Sequence, residues 1–422
     1  MYEALKEKLY ASIDAHREET VELLKKTINF PTTVGQEGEC MYYYADLLKD
    51  LDFQMDVFET DLDDIKKKYD IVTSRETFKG SPMVLGIKKG TGGGKSLILC
   101  GHLDVVPASS HWKHEPYHAT QEGTRIYGRG ACDMKAGDVS NYMVAKILKE
   151  NGIKLKGDLT MEYCLDEETG SAAVVGAIDR GYKADGLIVT EPTNRQILIG
   201  TIGATWFRIK VKGLSAHASH AYDGVNAIEK AYPIYFGIKA LEKARNEMPR
   251  SENYKDKYMP YCINVGTFRA EGATVSTVPD LAVIEGRFGF TAQETLQDVR
   301  NALEQVIDDA CKNDEWLAQN RPEMELFGAS WYGAEVSKDN PLLGKLKANC
   351  DNIYGRETPI DVACYCSDGA QVQHWLGVPS ITFGPGDIAW AHGDDEFVEI
   401  DDLILAQKAL IATVLDWCGV DE

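Results

Sequence analysis

The sequence predicts an α/β fold: a layered body with a mostly parallel central sheet flanked by helices, plus an inserted βαββαβ (ferredoxin-like) unit. Three observations predict it. Over residues 1–202, helical periodicities alternate with apolar runs of about five residues, which is how buried, largely parallel strands read. Over 203–332 the order of signals changes to strand, helix, strand, strand, helix, strand. From 333 to 422 the first grammar resumes, so the middle unit reads as an insertion into the body.

Taken in order, VELLKKTINF is a helix and SLILC a buried strand. In DVSNYMVAKILKENG, Val139, Met143 and Ile147 recur every four residues and Gly152 stands just beyond, the pattern of a helix with a glycine stop. LTMEYCL and GLIVT follow as strands. In the inserted unit, TWFRIKVKG, YCINVGTF, LAVIEGRFGF and PEMELFGAS are strands. Its first helix contains Pro233, which is expected to bend it. Its second is expected to open with a capping box of Thr291 and Glu294, ahead of a stripe of Leu296, Val299, Leu303 and Val306. PLLGKLKANCDNIYG as helix and SITF as strand then continue the body. GTGGGKS at 90–96 has Lys89 where a phosphate-binding loop begins with glycine, and a strand rather than a helix follows it. It reads as a flexible connection.

The 422 residues carry 45 Lys and Arg against 66 Asp and Glu, a formal charge of −21. Such a chain repels polyanions over most of its surface, which argues against nucleic-acid or anionic-membrane partners. No apolar run approaches the roughly 18 residues of a membrane helix, and the charged amphipathic start lacks a signal peptide's apolar stretch, so the expected location is the cytosol. The ten cysteines are scattered, several inside apolar runs, and read as reduced thiols. Cys364 and Cys366 form a close pair with no second pair nearby, and no metal is assigned to them.

Polar residues gather immediately after the apolar runs. His102 and Asp104 follow SLILC; Asp166, Glu167 and Glu168 follow LTMEYCL; Glu191 follows GLIVT; His392 lies nine residues after SITF. In an open parallel sheet, ligands bind outside the carboxyl ends of the strands, so these residues are expected to converge. That many carboxylates repel one another unless cations are present, and His with Asp and Glu is a donor set for zinc or a similar divalent ion. The three histidines His111, His114 and His118 have no such carboxylate pair and read as a surface loop.

Six segments also resemble one family: GHLDVVP at 101–107, YGRGACDMKAG at 127–137, DEETGS at 166–171, TEPT at 190–193, KGLSAHAS at 212–219 and GPGDIAWAHGDDEFV at 384–398. In this order they are similar to the co-catalytic zinc peptidases and deacylases, which include acetylornithine deacetylase, succinyl-diaminopimelate desuccinylase, aminoacylase and glutamate carboxypeptidase. The resemblance implies two divalent metal ions, zinc with cobalt or manganese also fitting, bridged by Asp133. One ion takes His102 and Glu191, the other Glu168 and His392. Asp104 stands behind His102, Glu167 is the general base towards a metal-activated water, and His217 is the lid histidine that supports the oxyanion. Arg287 and Asn264 hold the substrate; the sequence departs from the common family pattern at Ser276. The inserted unit becomes a lid through which a homodimer forms. The implied activity is hydrolysis of a small N-acyl substrate (acetyl, formyl or succinyl type), favoured by Glu191 where peptidase branches commonly have Asp. The alternatives are a metallocarboxypeptidase or dipeptidase, and a binding module that kept the fold without the chemistry.

Overall fold

The computed structural model describes residues 2–270 and 272–421. Its larger sheet orders strands Gln54–Phe58, Met83–Lys88, Leu159–Cys164, Leu97–His102, Leu187–Val189, Ser380–Thr382, Ile197–Leu198 and Ile360–Asp361. The four central strands, Leu159–Cys164 to Ser380–Thr382, are parallel. Antiparallel pairings flank them on both sides, so the sheet is mixed but parallel at its centre. Leu97–His102 is buried at every position, which explains why SLILC shows no alternation: both faces are covered by helices.

The helix predicted from Asp138 begins three residues earlier and spans Lys135–Glu150. Its first turn lacks periodic apolar residues because it packs end-on against the sheet. A Cβ on Gly137 would lie 2.1 Å from the Thr190 carbonyl oxygen, so this turn can approach the strand end only as glycine. Val139, Met143 and Ile147 are all fully buried, as the spacing predicts.

The inserted unit forms a second sheet, ordered Ile263–Ala270, Leu281–Phe290, Gly203–Lys212 and Glu323–Trp331, with every pairing antiparallel. Helices Ala227–Glu247 and Leu296–Lys312 cover one face and enclose a core that includes Phe207, Ile234, Ile284, Phe288 and Leu303. Each such side chain contributes about 1.5–3 kcal/mol through burial. The uncovered face accounts for the alternation of burial from Phe207 to Val211.

The helix Ala227–Glu247 contains Pro233. Pro233 is exposed, so water can take the carbonyl that the missing N–H leaves free. The capping box is Thr295 with Asp298, not Thr291 with Glu294. Glu294 does accept the Thr291 N–H at 2.8 Å, but its carboxylate is committed to Arg245, at 2.7 Å from each terminal nitrogen. The glycine-rich connection is also clamped: Gly92 N donates to the Lys156 carbonyl at 2.9 Å, and a Cβ on Gly94 would lie 1.9 Å from the Cys418 carbonyl oxygen. Among the described residues, no helix is long and apolar enough to cross a membrane.

Replacing Thr295 by Ala should cost about 1 kcal/mol of local stability. Amides in the first turn of Leu296–Lys312 should then exchange roughly fivefold faster by hydrogen-exchange mass spectrometry. Thr291→Ala should leave them unchanged, and the reverse ranking would refute the cap assignment.

Candidate active site

The parallel strands end along one edge, and the chain turns there with its acids. His102 is the last residue of its strand and pairs in register with Cys164, two residues before Asp166. Glu191 follows Leu187–Val189, and His392 lies in the loop after Ser380–Thr382. Asp133 arrives from the loop ahead of the helix Lys135–Glu150. That loop is gripped by one buried carboxylate, Glu396, which accepts the N–H groups of Gly130, Cys132 and Asp133 at 3.1, 2.8 and 2.9 Å. Glu396 also pairs with Arg129 Nη1 at 2.7 Å.

Two donor groups result, His102 with Asp133 and Glu191, and Asp133 with Glu168 and His392; within each, one atom per residue lies within 4.8 Å of the others. His102 Nε2 stands 3.2 Å from Asp133 Oδ1 and 3.4 Å from Glu191 Oε1. His392 Nε2 stands 3.3 Å from Asp133 Oδ2 and 3.0 Å from Glu168. Asp133 therefore turns one oxygen towards each group, the disposition of a bridging ligand. His102 Nε2 is buried and has no aligned hydrogen-bond partner among the described residues. Its neighbours surround a common point instead of bonding to it, so the donors fit a cation.

The electrostatics agree. Burial pushes the Glu191 carboxyl up to about 8 and that of Glu168 up to about 7. Burial likewise holds Glu167 well above the usual carboxylate range. For His102 burial works the other way, but Glu191, Asp104 and Asp133 outweigh it and raise the ring above the usual histidine range. Hydrogen bonds to Asp133 and Glu168 raise His392 to about 10. For Asp133, contacts with the two histidines outweigh burial and hold its carboxyl below the usual range.

The remaining sequence-selected residues divide. Glu167 and Arg287 line the same cavity of about 410 Å³ as Asp133, Glu168, Glu191 and His392. Asp104 approaches the His102 ring with two of its oxygens. Its main-chain carbonyl lies 3.0 Å from Nδ1 and its Oδ1 3.4 Å, while the carboxylate accepts the N–H groups of Glu167 and Glu168 at 3.3 and 3.1 Å. It steadies the Glu167–Glu168 turn, because a three-residue bend puts those two N–H groups beneath it. Asn264 faces Arg287 across the sheet but is exposed and outside the cavity lining. His217 is exposed too, its Nδ1 bonded to Ser219 Oγ at 2.8 Å. His114 binds Asp395 at 2.9 Å and Glu122 at 3.1 Å, a loop tie among acids. Cys100 and Cys164 also meet with Asp368, as free thiols 3.5 Å apart. For Cys100 the Cys164 hydrogen bond works downward, but burial and Glu162 raise the thiol to about 12, so it stays protonated.

Glu396, Tyr365 and Trp331 escaped sequence reasoning. Trp331 Nε1 donates to the Glu167 carbonyl at 2.9 Å. The one available signal was for Glu396, the last of three consecutive acids and the one set directly before the apolar pair Phe397-Val398.

Metal uptake requires ligands free of protons, so it should release protons and weaken as the pH falls from about 9 towards 6 through the raised values of Glu191 and Glu168. Calorimetry of Zn2+ binding in buffers of different ionisation enthalpy measures this directly. Uptake without proton release, or affinity indifferent to pH, would contradict the cage.

Comparison with known proteins supplies a context for this centre. Residues 98–416 match the family model described as peptidase family M20/M25/M40. The N-formyl-4-amino-5-aminomethyl-2-methylpyrimidine deformylase of Bacillus subtilis (strain 168) is 29% identical, with 97% of each chain covered. The acetylornithine deacetylase of Vibrio atlanticus (strain LGP32) is 27% identical over 80% of this chain and 84% of that one. Among solved structures, the Bacillus subtilis YXEP protein, described as a dinuclear metal binding peptidase, superposes with a TM-score of 0.66 at 16% identity, covering 97% of this chain and 100% of that chain.

Proposed function

The chain belongs to peptidase family M20/M25/M40, and on that premise we propose that it hydrolyses the N-acyl bond of a small amine or amino acid. The observation that carries the reading is the bridging disposition of Asp133 between two His/Glu groups, with one further carboxylate, Glu167, left free in the same cavity. Full-length similarity to a deformylase supports an N-acyl substrate. A metallocarboxypeptidase or dipeptidase with the same centre is the second reading, favoured by the fold shared with a peptidase.

His102, Asp133 and Glu191 would hold one divalent ion, and Asp133, Glu168 and His392 a second. Zinc suits the set, with cobalt or manganese as substitutes. Bound there, the ions would polarise the amide carbonyl and lower the pKa of water towards about 7. Glu167 takes a proton from the attacking water and passes it to the leaving nitrogen as the C–N bond breaks, giving a carboxylic acid and an amine. Burial raises the Glu167 carboxyl, with His102 opposing and Glu191 and Glu168 adding. Trp331 and Asp104 fix the turn that carries it. Arg287 offers a guanidinium to a substrate carboxylate or carbonyl.

The unit at 203–332 serves as a lid between the catalytic segments 1–202 and 333–422, and carries a homodimer interface. Its edge strand Ile263–Ala270 exposes Phe268, beside the exposed Tyr232 and Phe236 of the helix Ala227–Glu247. Such an apolar edge suits pairing with a second copy. Asn264 and His217 would then act at the interface, with His217 reaching a site from across it. The setting of this reaction is the cytoplasm.

Glu167→Gln should retain about two divalent ions by elemental analysis while hydrolysis falls by several orders of magnitude. A panel of N-formyl, N-acetyl and N-succinyl amines beside dipeptides separates the two readings, and turnover of dipeptides alone sinks the deacylase. Sedimentation should give a dimer that Phe236→Glu converts to a monomer of much lower activity. A monomeric, fully active wild type would remove the interface.

A further inference from the structure

The cavity wall facing the acids contains a polar atom that the chemistry above does not use. Tyr365 lies in the bend between the strand Ile360–Asp361 and the helix Asp368–Leu376. Its ring is half-buried and lines the cavity with Asp133, Glu167, Glu168, Glu191 and His392. Its hydroxyl is buried and has no hydrogen-bond partner among the described residues. A hydroxyl removed from water and left unpaired costs stability, and such groups call for an explanation.

The bend is held from both sides. Ala363 N donates to the Gly200 carbonyl at 2.8 Å, and Tyr254 Oη donates to the Ala363 carbonyl at 3.0 Å. On the far side the helix packs so closely on the sheet that a Cβ on Gly369 would come 2.0 Å from Ser380 Oγ. The Gly200 bond and the close packing at Gly369 tie the bend to the body, and Tyr254 ties it to the inserted unit, so the ring is held by both. Burial, then Glu191 and Asp133, hold the phenol above its ordinary range, so it remains a neutral O–H donor. His217, which the family resemblance marks as oxyanion donor, lies on the surface of this chain.

We propose that Tyr365 is a catalytic residue whose hydroxyl donates a hydrogen bond to the acyl oxygen of the substrate as negative charge develops on it. The proposal rests on the amide-hydrolase reading of the site. The O–H bond is not broken: the phenol stabilises the oxyanion, and the transferred proton travels by way of Glu167. A donor fixed before the reaction acts most strongly on the transition state, where the charge is largest.

The test is Tyr365→Phe, which keeps the ring. With the best amide substrate of the wild type, kcat should fall about 100-fold with KM little changed. Metal content should stay at the wild-type value, and the metal-free variant should melt at or above the wild-type temperature because an unpaired hydroxyl is gone. Unchanged kcat, a rise in KM alone, or loss of metal would each overturn the proposal; the last would make Tyr365 a positioning residue for Glu191 or Asp133. A wild type that cleaves neither N-acyl amines nor dipeptides would overturn the amide-hydrolase reading itself, and this one with it. Turnover by the wild type with no loss in Tyr365→Phe overturns this one alone.

Discussion

The constraint on which the rest of the structure depends is the desolvation of several carboxylates at one sheet edge. Asp133, Glu167 and Glu191 are each less than a tenth exposed, and the Glu168 side chain is nearly as enclosed. Charges cannot be buried this way without partners, because moving each from water costs several kcal/mol. Two histidines share the load in the chain itself. The layer beneath continues the pattern: burial raises Asp166 to about 7 and Asp368 to about 6. A protein that keeps so many buried acids together has built a receptor for positive charge.

Holding that cluster requires backbone placed to within tenths of an ångström, and distant parts of the chain contribute. Glu396 spends its lone pairs on the loop that presents Asp133, while Asp104 does the same for the Glu167–Glu168 turn. Gly101 sits where a Cβ would strike the Asp138 carboxylate at 2.3 Å, so the strand beside His102 lies directly against the helix Lys135–Glu150. These are acids and glycines acting on main chain. They set the positions of the ligands without joining them.

The inserted unit has its own core, separate from that of the body, yet it reaches the same cavity. Trp206 and Arg287 line it from the second sheet, and Trp331, at the end of that sheet's last strand, bonds the carbonyl of Glu167. The body thus supplies the acids and Tyr365, while the insertion supplies aromatic surface and a guanidinium.

The sequence by itself determined the layered architecture, the βαββαβ insertion and the convergence of His102, Glu168, Glu191 and His392. Apolar period and strand order are local signals, and the carboxyl ends of parallel strands share an edge by geometry. Asp133 was legible only through its motif, since it follows no strand. Tertiary structure alone decided that its two oxygens face two groups, that Thr295 rather than Thr291 caps its helix, and that the Asp104 carboxylate serves two N–H groups more closely than a ring. It alone joined Glu396 to residues 130–133 and brought the Tyr365 hydroxyl to the acids. The reason is physical: apart from the local Thr295 cap, those contacts link segments from tens to hundreds of residues apart. Which donor meets which acceptor depends on how two packed cores and one sheet edge are set together, and no pattern along the chain records it.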